Sequence, residues 1–306
     1  MQAPNGGGKG EAALDGILRR SGELLTQAGA CAWGCADGAW LLPRMSEDAR
    51  ARALERTPGL RRLLCAAFPY ARGDEAAGRF SRYARGEDYH RAIMRRLAPV
   101  AEALEELCPG AAFTPWADSS PFPEVYAAAR CGVGRLGKNG LLLTEAAGSY
   151  VFLGFLATNA PLPATGGEIT SCRGCGLCER SCPGGALHGG AVDPEKCLSA
   201  LTQKRGALTP EQENLLRRGG MLWGCDRCQL CCPENQGLTA APLPEFHRPE
   251  PLLTDEDLAL GDRAFRRKFD GRAFVWRGVQ PLRRNAALLR EDDGEDASAD
   301  HTPHGA

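Results

Sequence analysis

Apolar positions along the first half of the chain recur with two periods. From Glu11 to Ala28, Leu14, Ile17, Leu18, Leu24 and Leu25 fall at helical intervals with Arg and Glu between them, which predicts a surface helix. Ala30–Ala36 is short and built of small residues, a candidate strand. Ser46–Arg56 opens on a capping serine, with acids in its first turn and arginines behind, and reads as a helix. Arg62–Pro69, apolar after its first residue and ended by a proline, predicts a buried strand. In Ser81–Val100 the second half, continued to Leu107, has helical periodicity, with His90 near its start. Three prolines in Thr114–Glu124 predict a constrained loop rather than an element. Tyr150–Thr158 reads as a long buried strand, and Pro161–Gly167 as a linker and domain boundary. Leu258–Arg290 reads as helical and basic, and the acidic Glu291–Ala306 as a disordered tail.

Length changes this picture little: 306 residues can bury a core without cross-links. A net charge of −1 excludes strong whole-protein attraction to nucleic acid or membrane, so any such affinity must be local. Met1–Gly10 is Gly-rich and polar, with no apolar core of a signal peptide, and no apolar run approaches a membrane span. The expected location is cytoplasmic. In that setting, 14 cysteines point to metal rather than disulfides.

Nine of those cysteines fall between Cys172 and Pro233. Cys172–Pro183 has the spacing C-x2-C-x2-C-x3-C-P, which suits [4Fe–4S] clusters. Three thiolates in x2 steps wrap one face of a cube, and the fourth, followed by proline, serves a neighbouring cube. Cys197 and the second run at Cys225, Cys228 and Cys232 complete the set. The crossover assigns Cys172, Cys175, Cys178 and Cys232 to one cluster and Cys182, Cys197, Cys225 and Cys228 to the other. Cys231 competes with Cys232, which is preferred because Pro233 follows it. Zinc is the rival, but consecutive x2 steps suit it poorly. Two clusters make an electron wire, so the N-terminal half must hold the electron-consuming centre.

Other features carry two readings each. Asp118, in a rigid aromatic-flanked loop, suits a general acid whose pKa burial would raise, and equally an Asx-turn or helix cap. His90 suits a first-turn polar residue better than a cofactor contact. Cys31 and Cys35 suit small core residues. Gly132–Gly137 spells G-x-G-x-x-G but lacks the strand before it and the helix after it that a dinucleotide site needs. In Leu258–Arg290, arginines interleaved with Phe265, Phe269, Phe274 and Trp276 suit either an RNA backbone or a solvated helix face.

Several stretches together resemble the epoxyqueuosine reductase family: Ser81–His90, Ala117–Pro121, Gly132–Asn139, Gly148–Gly154, both cysteine runs, Cys197–Thr202, Gly224–Gln229, Phe265–Ala273 and Arg277–Asn285. The resemblance runs from about Leu14 to Leu289. It implies an α+β fold: a nitroreductase-like cobalamin-binding domain at 1–163, a ferredoxin-like two-[4Fe–4S] domain at 164–240, a basic segment at 241–290 and a tail at 291–306. It implies that Asp118 donates a proton while electrons pass through the clusters to cobalamin and epoxyqueuosine in tRNA becomes queuosine. Ser199, Thr202, Asp226 and Gln229 match positions near the corrin, with Tyr83 and His90 as further cofactor contacts. Partners would be tRNA, gripped by Arg263–Arg290, and an electron donor such as a flavodoxin or ferredoxin. Arg135, Ala117, Pro123 and Val125 depart from the family pattern, and the helical-repeat domain of longer members is expected to be missing. The alternatives are a cobalamin-dependent reductase of a small molecule, akin to reductive dehalogenases, and an electron-transfer protein without cobalamin.

Overall fold

The structure is a computed structural model and describes residues 7–296 apart from residue 77. Its centre is a four-stranded antiparallel sheet in the order Ala32–Asp37, Arg62–Pro69, Val151–Thr158, Phe113–Ala117. The strand Arg62–Pro69 occupies an inner position, and this is why it lacks polar alternation after Arg62: both its faces are covered. Leu64, Ala66 and Phe68 join Ile93, Leu97 and Leu104 of the helix Tyr89–Leu107 in one core cluster. Leu63, Cys65 and Ala67 join Ala127, Ala128 and Ala129 of Glu124–Arg130 in another. The N-terminal helix Gly7–Gln27 packs on the first side, through Leu25. Ser46 caps Glu47–Arg56 through the Ala49 N–H, as its position predicts. Cys35 is fully buried in the core. The α+β architecture is the expected one.

Three expectations need correction. Thr114–Glu124 is not all loop, because Phe113–Ala117 is a strand paired with Val151–Thr158 in the register Trp116–Phe155. Pro115 is tolerated there because the strand lies at the edge of the sheet. Leu258–Arg290 is not one helix. It breaks into Asp255–Ala259, Asp262–Lys268, the turn Ala273–Val275 and Gln280–Asp296. Gly271 and Gly278 take positive φ between these pieces, and Asp262 accepts the Val279 N–H across the second break. The final helix runs to Asp296, so the expected disordered tail begins no earlier than residue 297, and 297–306 lie outside the described residues.

The cysteine region folds back on the sheet rather than hanging from it. Pro161–Gly167 is tied to the first strand: the Cys35 N–H donates to Thr165 Oγ1, and the Thr165 N–H donates to the Cys35 carbonyl. Leu243 and Phe246, beyond the cysteines, enter the N-terminal core. Phe80 packs with Trp223, Phe265, Phe274 and Leu282. The buried pair Arg82–Asp226 closes the joint: Asp226 accepts from Ser81 Oγ at 2.5 Å and from the Arg82 N–H at 2.9 Å. No helix among the described residues is long and apolar enough to cross a membrane.

Candidate active site

The joint between sheet and cysteine region encloses a cavity of about 410 Å³, partly open to solvent. Its walls combine aromatic and aliphatic faces with a few polar groups, the usual composition of a cofactor or ligand site. Tyr89 and Phe152 form one wall, with ring centroids 4.3 Å apart and planes inclined by 6°. Val151, Leu153, Leu141 and Leu187 continue it, and Ser149, Ser199, Gln229 and Asn139 supply polar atoms.

Asp118 lies at the cavity wall, just past the edge strand, where the chain leaves the sheet. Its φ of +56° is in the left-handed region, the one such non-glycine conformation among the described residues. That backbone departs from the loops most residues prefer, and such departures gather at functional sites. The side chain meets the start of the helix Tyr89–Leu107. Asp118 Oδ2 lies 2.7 Å from His90 Nε2 and accepts from Tyr89 Oη at 3.2 Å. On its other side, His90 Nδ1 lies 2.8 Å from Asp88, the helix cap. A ring held between two carboxylates favours the imidazolium. Burial pushes the His90 pKa down, but the hydrogen bonds to Asp118 and Asp88 overcome it and raise it to about 9. The same bond to His90 holds Asp118 below the usual carboxylate range despite burial. The expected upward shift of Asp118 is therefore reversed, and the proton at neutral pH sits on His90. Asp118 does not cap the next helix either, because Pro123 takes that position without a side-chain bond.

A second acid faces the cavity. Glu124 opens the helix Glu124–Arg130 and accepts from Ser120 Oγ at 2.6 Å. Burial, with the Asp118 charge beside it, pushes its pKa up to about 7.

The cysteines separate into two sets by the space they border. Cys172, Cys175, Cys178 and Cys232 line a small hollow with Asn139 and Glu234. Cys175 is exposed there, and Gly174 beside it has nothing within van der Waals reach of an added Cβ. Cys182, Cys197, Cys225 and Cys228 line the large cavity with Asp118. Cys231 borders neither space and opens on a separate cleft with Arg82 and Arg85. Among the described residues, no group of three or more His, Cys, Asp and Glu side chains is drawn in closely enough for a single metal ion.

The remaining candidates divide. Tyr83, Ser199 and Gln229 line the cavity, and His90 reaches it through Asp118. Gln229 Oε1 is anchored by Tyr70 Oη at 3.1 Å and Ser149 Oγ at 3.0 Å. Thr202 and Asp226 do not line it. Thr202 is fully buried and accepts the Gly224 N–H. Asp226 is spent on Ser81 and Arg82. Tyr89, Glu124, Asn139 and Ser149 are cavity residues that the sequence did not single out individually. Tyr89, Asn139 and Ser149 lay within stretches that carry the family resemblance, and Glu124 only closed the proline-rich stretch Thr114–Glu124.

Residues 171–235 match the family described as 4Fe-4S double cluster binding domain, and residues 50–119 match Epoxyqueuosine reductase QueG, DUF1730. An epoxyqueuosine reductase of Vibrio cholerae is 33% identical over 254 residues, which cover 78% of this chain and 68% of that protein. The chain belongs to the epoxyqueuosine reductase family. Another member, from Lactococcus garvieae, is 38% identical over 213 residues, covering 68% of this chain and 60% of its own length. The chain thus spans about three-fifths of the Lactococcus garvieae and Bacillus cereus relatives, 60% and 58%. Among solved structures, it is similar to an epoxyqueuosine reductase bound to an epoxyqueuosine-modified tRNA-Tyr stem loop, with a TM-score of 0.77, 27% identity and coverage of 94% of this chain and 84% of that one. The Bacillus subtilis enzyme, captured with its catalytic loop swung out of the active site, gives a TM-score of 0.76 at 27% identity, covering 92% and 84%.

Proposed function

We propose that this chain reduces epoxyqueuosine in tRNA to queuosine, using two [4Fe–4S] clusters and cobalamin. The observation that carries the reading is one cavity bordered both by a complete cysteine set and by the Asp118–His90 pair. Electrons would enter at Cys172, Cys175, Cys178 and Cys232, where Cys175 is exposed. They would leave through Cys182, Cys197, Cys225 and Cys228, which face the reaction space.

The cavity suits cobalamin by the chemistry of its walls. Asn139 is buried between the cavity and the small cysteine hollow, and its Nδ2 has no hydrogen-bond partner, which leaves one donor beside the site to be satisfied by a bound group. The wall of Phe152, Leu153 and Leu187 offers apolar surface to a macrocycle. Ser199, Gln229 and Tyr83 complete the contacts, whereas Thr202 and Asp226 support them from behind. When bound, cobalamin supplies a strongly reducing cobalt centre near the substrate carbon. The chain supplies position, shelter from water and protons. His90 holds the proton, and Asp118, hydrogen-bonded to it and facing the cavity, passes it to the epoxide oxygen.

tRNA recognition draws on Arg263 and Arg267, which are exposed on the helix Asp262–Lys268. Other arginines of the basic segment have structural work. Arg284 donates to the carbonyls of Leu201, Lys204 and Gly206, Arg283 to those of Leu258 and Leu260, and Arg272 to that of Arg85. A flavodoxin or ferredoxin would supply the electrons. The deciding experiment is anaerobic reconstitution with iron, sulfide and cobalamin, followed by nucleoside analysis of tRNA carrying epoxyqueuosine. Queuosine should form, and Asp118→Asn should abolish it. Bound cobalamin without queuosine would refute the tRNA substrate in favour of a small-molecule reductase.

A further inference from the structure

Reduction of an epoxide to an alkene breaks two C–O bonds, forms one C=C bond and releases the oxygen as water. Two electrons and two protons enter, and both protons end on the same oxygen. The electrons arrive through the iron–sulfur segment. The Asp118–His90 pair accounts for one proton only. This stoichiometry, which rests on the function proposed above, asks for a second acid within reach of the same atom.

We infer that Glu124 is that acid: it protonates the hydroxyl left after ring opening, so that the second C–O bond breaks with release of water. Glu124 borders the same cavity as Asp118. It is held there by the loop that carries Asp118. The Ser120 N–H donates to the Asp118 carbonyl, Ser120 Oγ donates to Glu124 Oε1 at 2.6 Å, and the Phe122 N–H donates to Ser120 Oγ at 3.3 Å. One serine thus ties the Glu124 carboxyl to the backbone of the residue whose carboxylate faces the same cavity.

The plain alternative is a first-turn acid that favours its helix. Such a carboxylate is ionised, because the partial positive charge of the N-terminus stabilises the anion. Glu124 behaves otherwise. Burial is the main cause, and the Asp118 carboxylate adds to it, while Ser120 and the His90 charge pull the other way; the balance leaves Glu124 with a pKa of about 7. The titratable groups facing it are Asp118, His90 and, from the core side, the thiol of Cys65. At neutral pH His90 therefore carries one proton, and in about half of the molecules Glu124 carries a second. Two is the number the reaction consumes.

Two measurements test this. The first needs neither cofactor nor turnover. Infrared difference titration of the cofactor-free protein should show a protonated-carboxyl band that disappears near neutral pH and is missing from Glu124→Gln. Ser120→Ala, which removes the bond stabilising the anion, should move its midpoint upward. A Glu124 that is ionised throughout the neutral range overturns the inference. The second is turnover of an epoxyqueuosine-bearing stem loop by reconstituted enzyme. Glu124→Gln should slow it on the order of 10²-fold or more, with stem-loop affinity unchanged, and should remove the decline in rate near neutral pH while leaving the one near pH 9 that His90 sets. Glu124→Asp should recover part of the rate. If the wild type turns over and Glu124→Gln matches it in rate and pH profile, the role of Glu124 falls while the reaction stands. If the wild type leaves epoxyqueuosine intact although the infrared band is present, the substrate reading falls, and the second-proton role with it.

Discussion

The position of the proton on His90 decides how the cavity works, and it can be measured directly. The ring lies 2.8 Å from Asp88 and 2.7 Å from Asp118, so both nitrogens meet carboxylates. The rise from 6.5 to about 9 corresponds to roughly a 300-fold preference for the protonated ring over an isolated histidine. Asp88→Asn removes one of the two charges and leaves the isosteric amide, so the His90 pKa should fall towards 6.5. The chain has five histidines. Long-range proton–nitrogen spectra of the cofactor-free protein, assigned with His90→Gln, resolve the one that titrates high. The folded-state pKa is raised, so the stabilisation is fully present below 6.5 and is lost as pH rises through about 9. Asp118 and Asp88 are held low, so their share is present at neutral pH and lost in acid. The ring keeps 36% of its side-chain surface in solvent, and screening makes its share of stability smaller than the shift alone would give. In reconstituted enzyme, Asp88→Asn should move the alkaline decline in rate to lower pH. A wild-type His90 that titrates at or below 6.5, or one unmoved by Asp88→Asn, would refute the proton relay.

Other perturbations test the frame around the cavity. Arg82 and Asp226 are each 4% exposed, so removing either partner should cost about 3–5 kcal/mol. Chemical unfolding of Arg82→Met, Asp226→Asn and the double variant should return a large coupling, and additive losses would contradict the joint. Gly34→Ala would set a Cβ 1.9 Å from the Cys131 carbonyl oxygen, and the clash should destabilise the protein by at least about 1–3 kcal/mol, read as a lowered Tm. Cys232→Ser should lower the iron content of reconstituted protein by up to half, whereas Cys231→Ser should leave it intact; the reverse would exchange their roles. Arg263→Glu with Arg267→Glu should weaken stem-loop binding and flatten its salt dependence, without loss of cobalamin binding.

What the sequence made legible follows from how local each signal was. Arg62–Pro69 could be read because an inner strand covered on both faces is apolar at each position after its first, Arg62. Phe113–Ala117 could not, because Pro115 signals a loop unless the strand is known to lie at an edge, and an edge is a property of the whole sheet. The spacing of the cysteines suggests two sets of four, and in the fold each of these sets borders its own space. Their two directions, one towards solvent and one towards Asp118, needed the fold. The pairing of Asp118 with His90 joins the end of an edge strand to the start of a helix 28 residues earlier, and no periodicity carries such a contact. It also reverses the sign of a local argument. Burial read from the aromatic flank raises an acid, yet the histidine bond wins, so the depressed acid is Asp118 and the raised one is Glu124. Thr202 and Asp226 show the converse: they stand in stretches that resemble corrin-binding loops, but their side chains are consumed in holding those loops. A motif marks the backbone that must be placed. Which of its side chains face the cavity is settled by the partners that the fold brings up behind them.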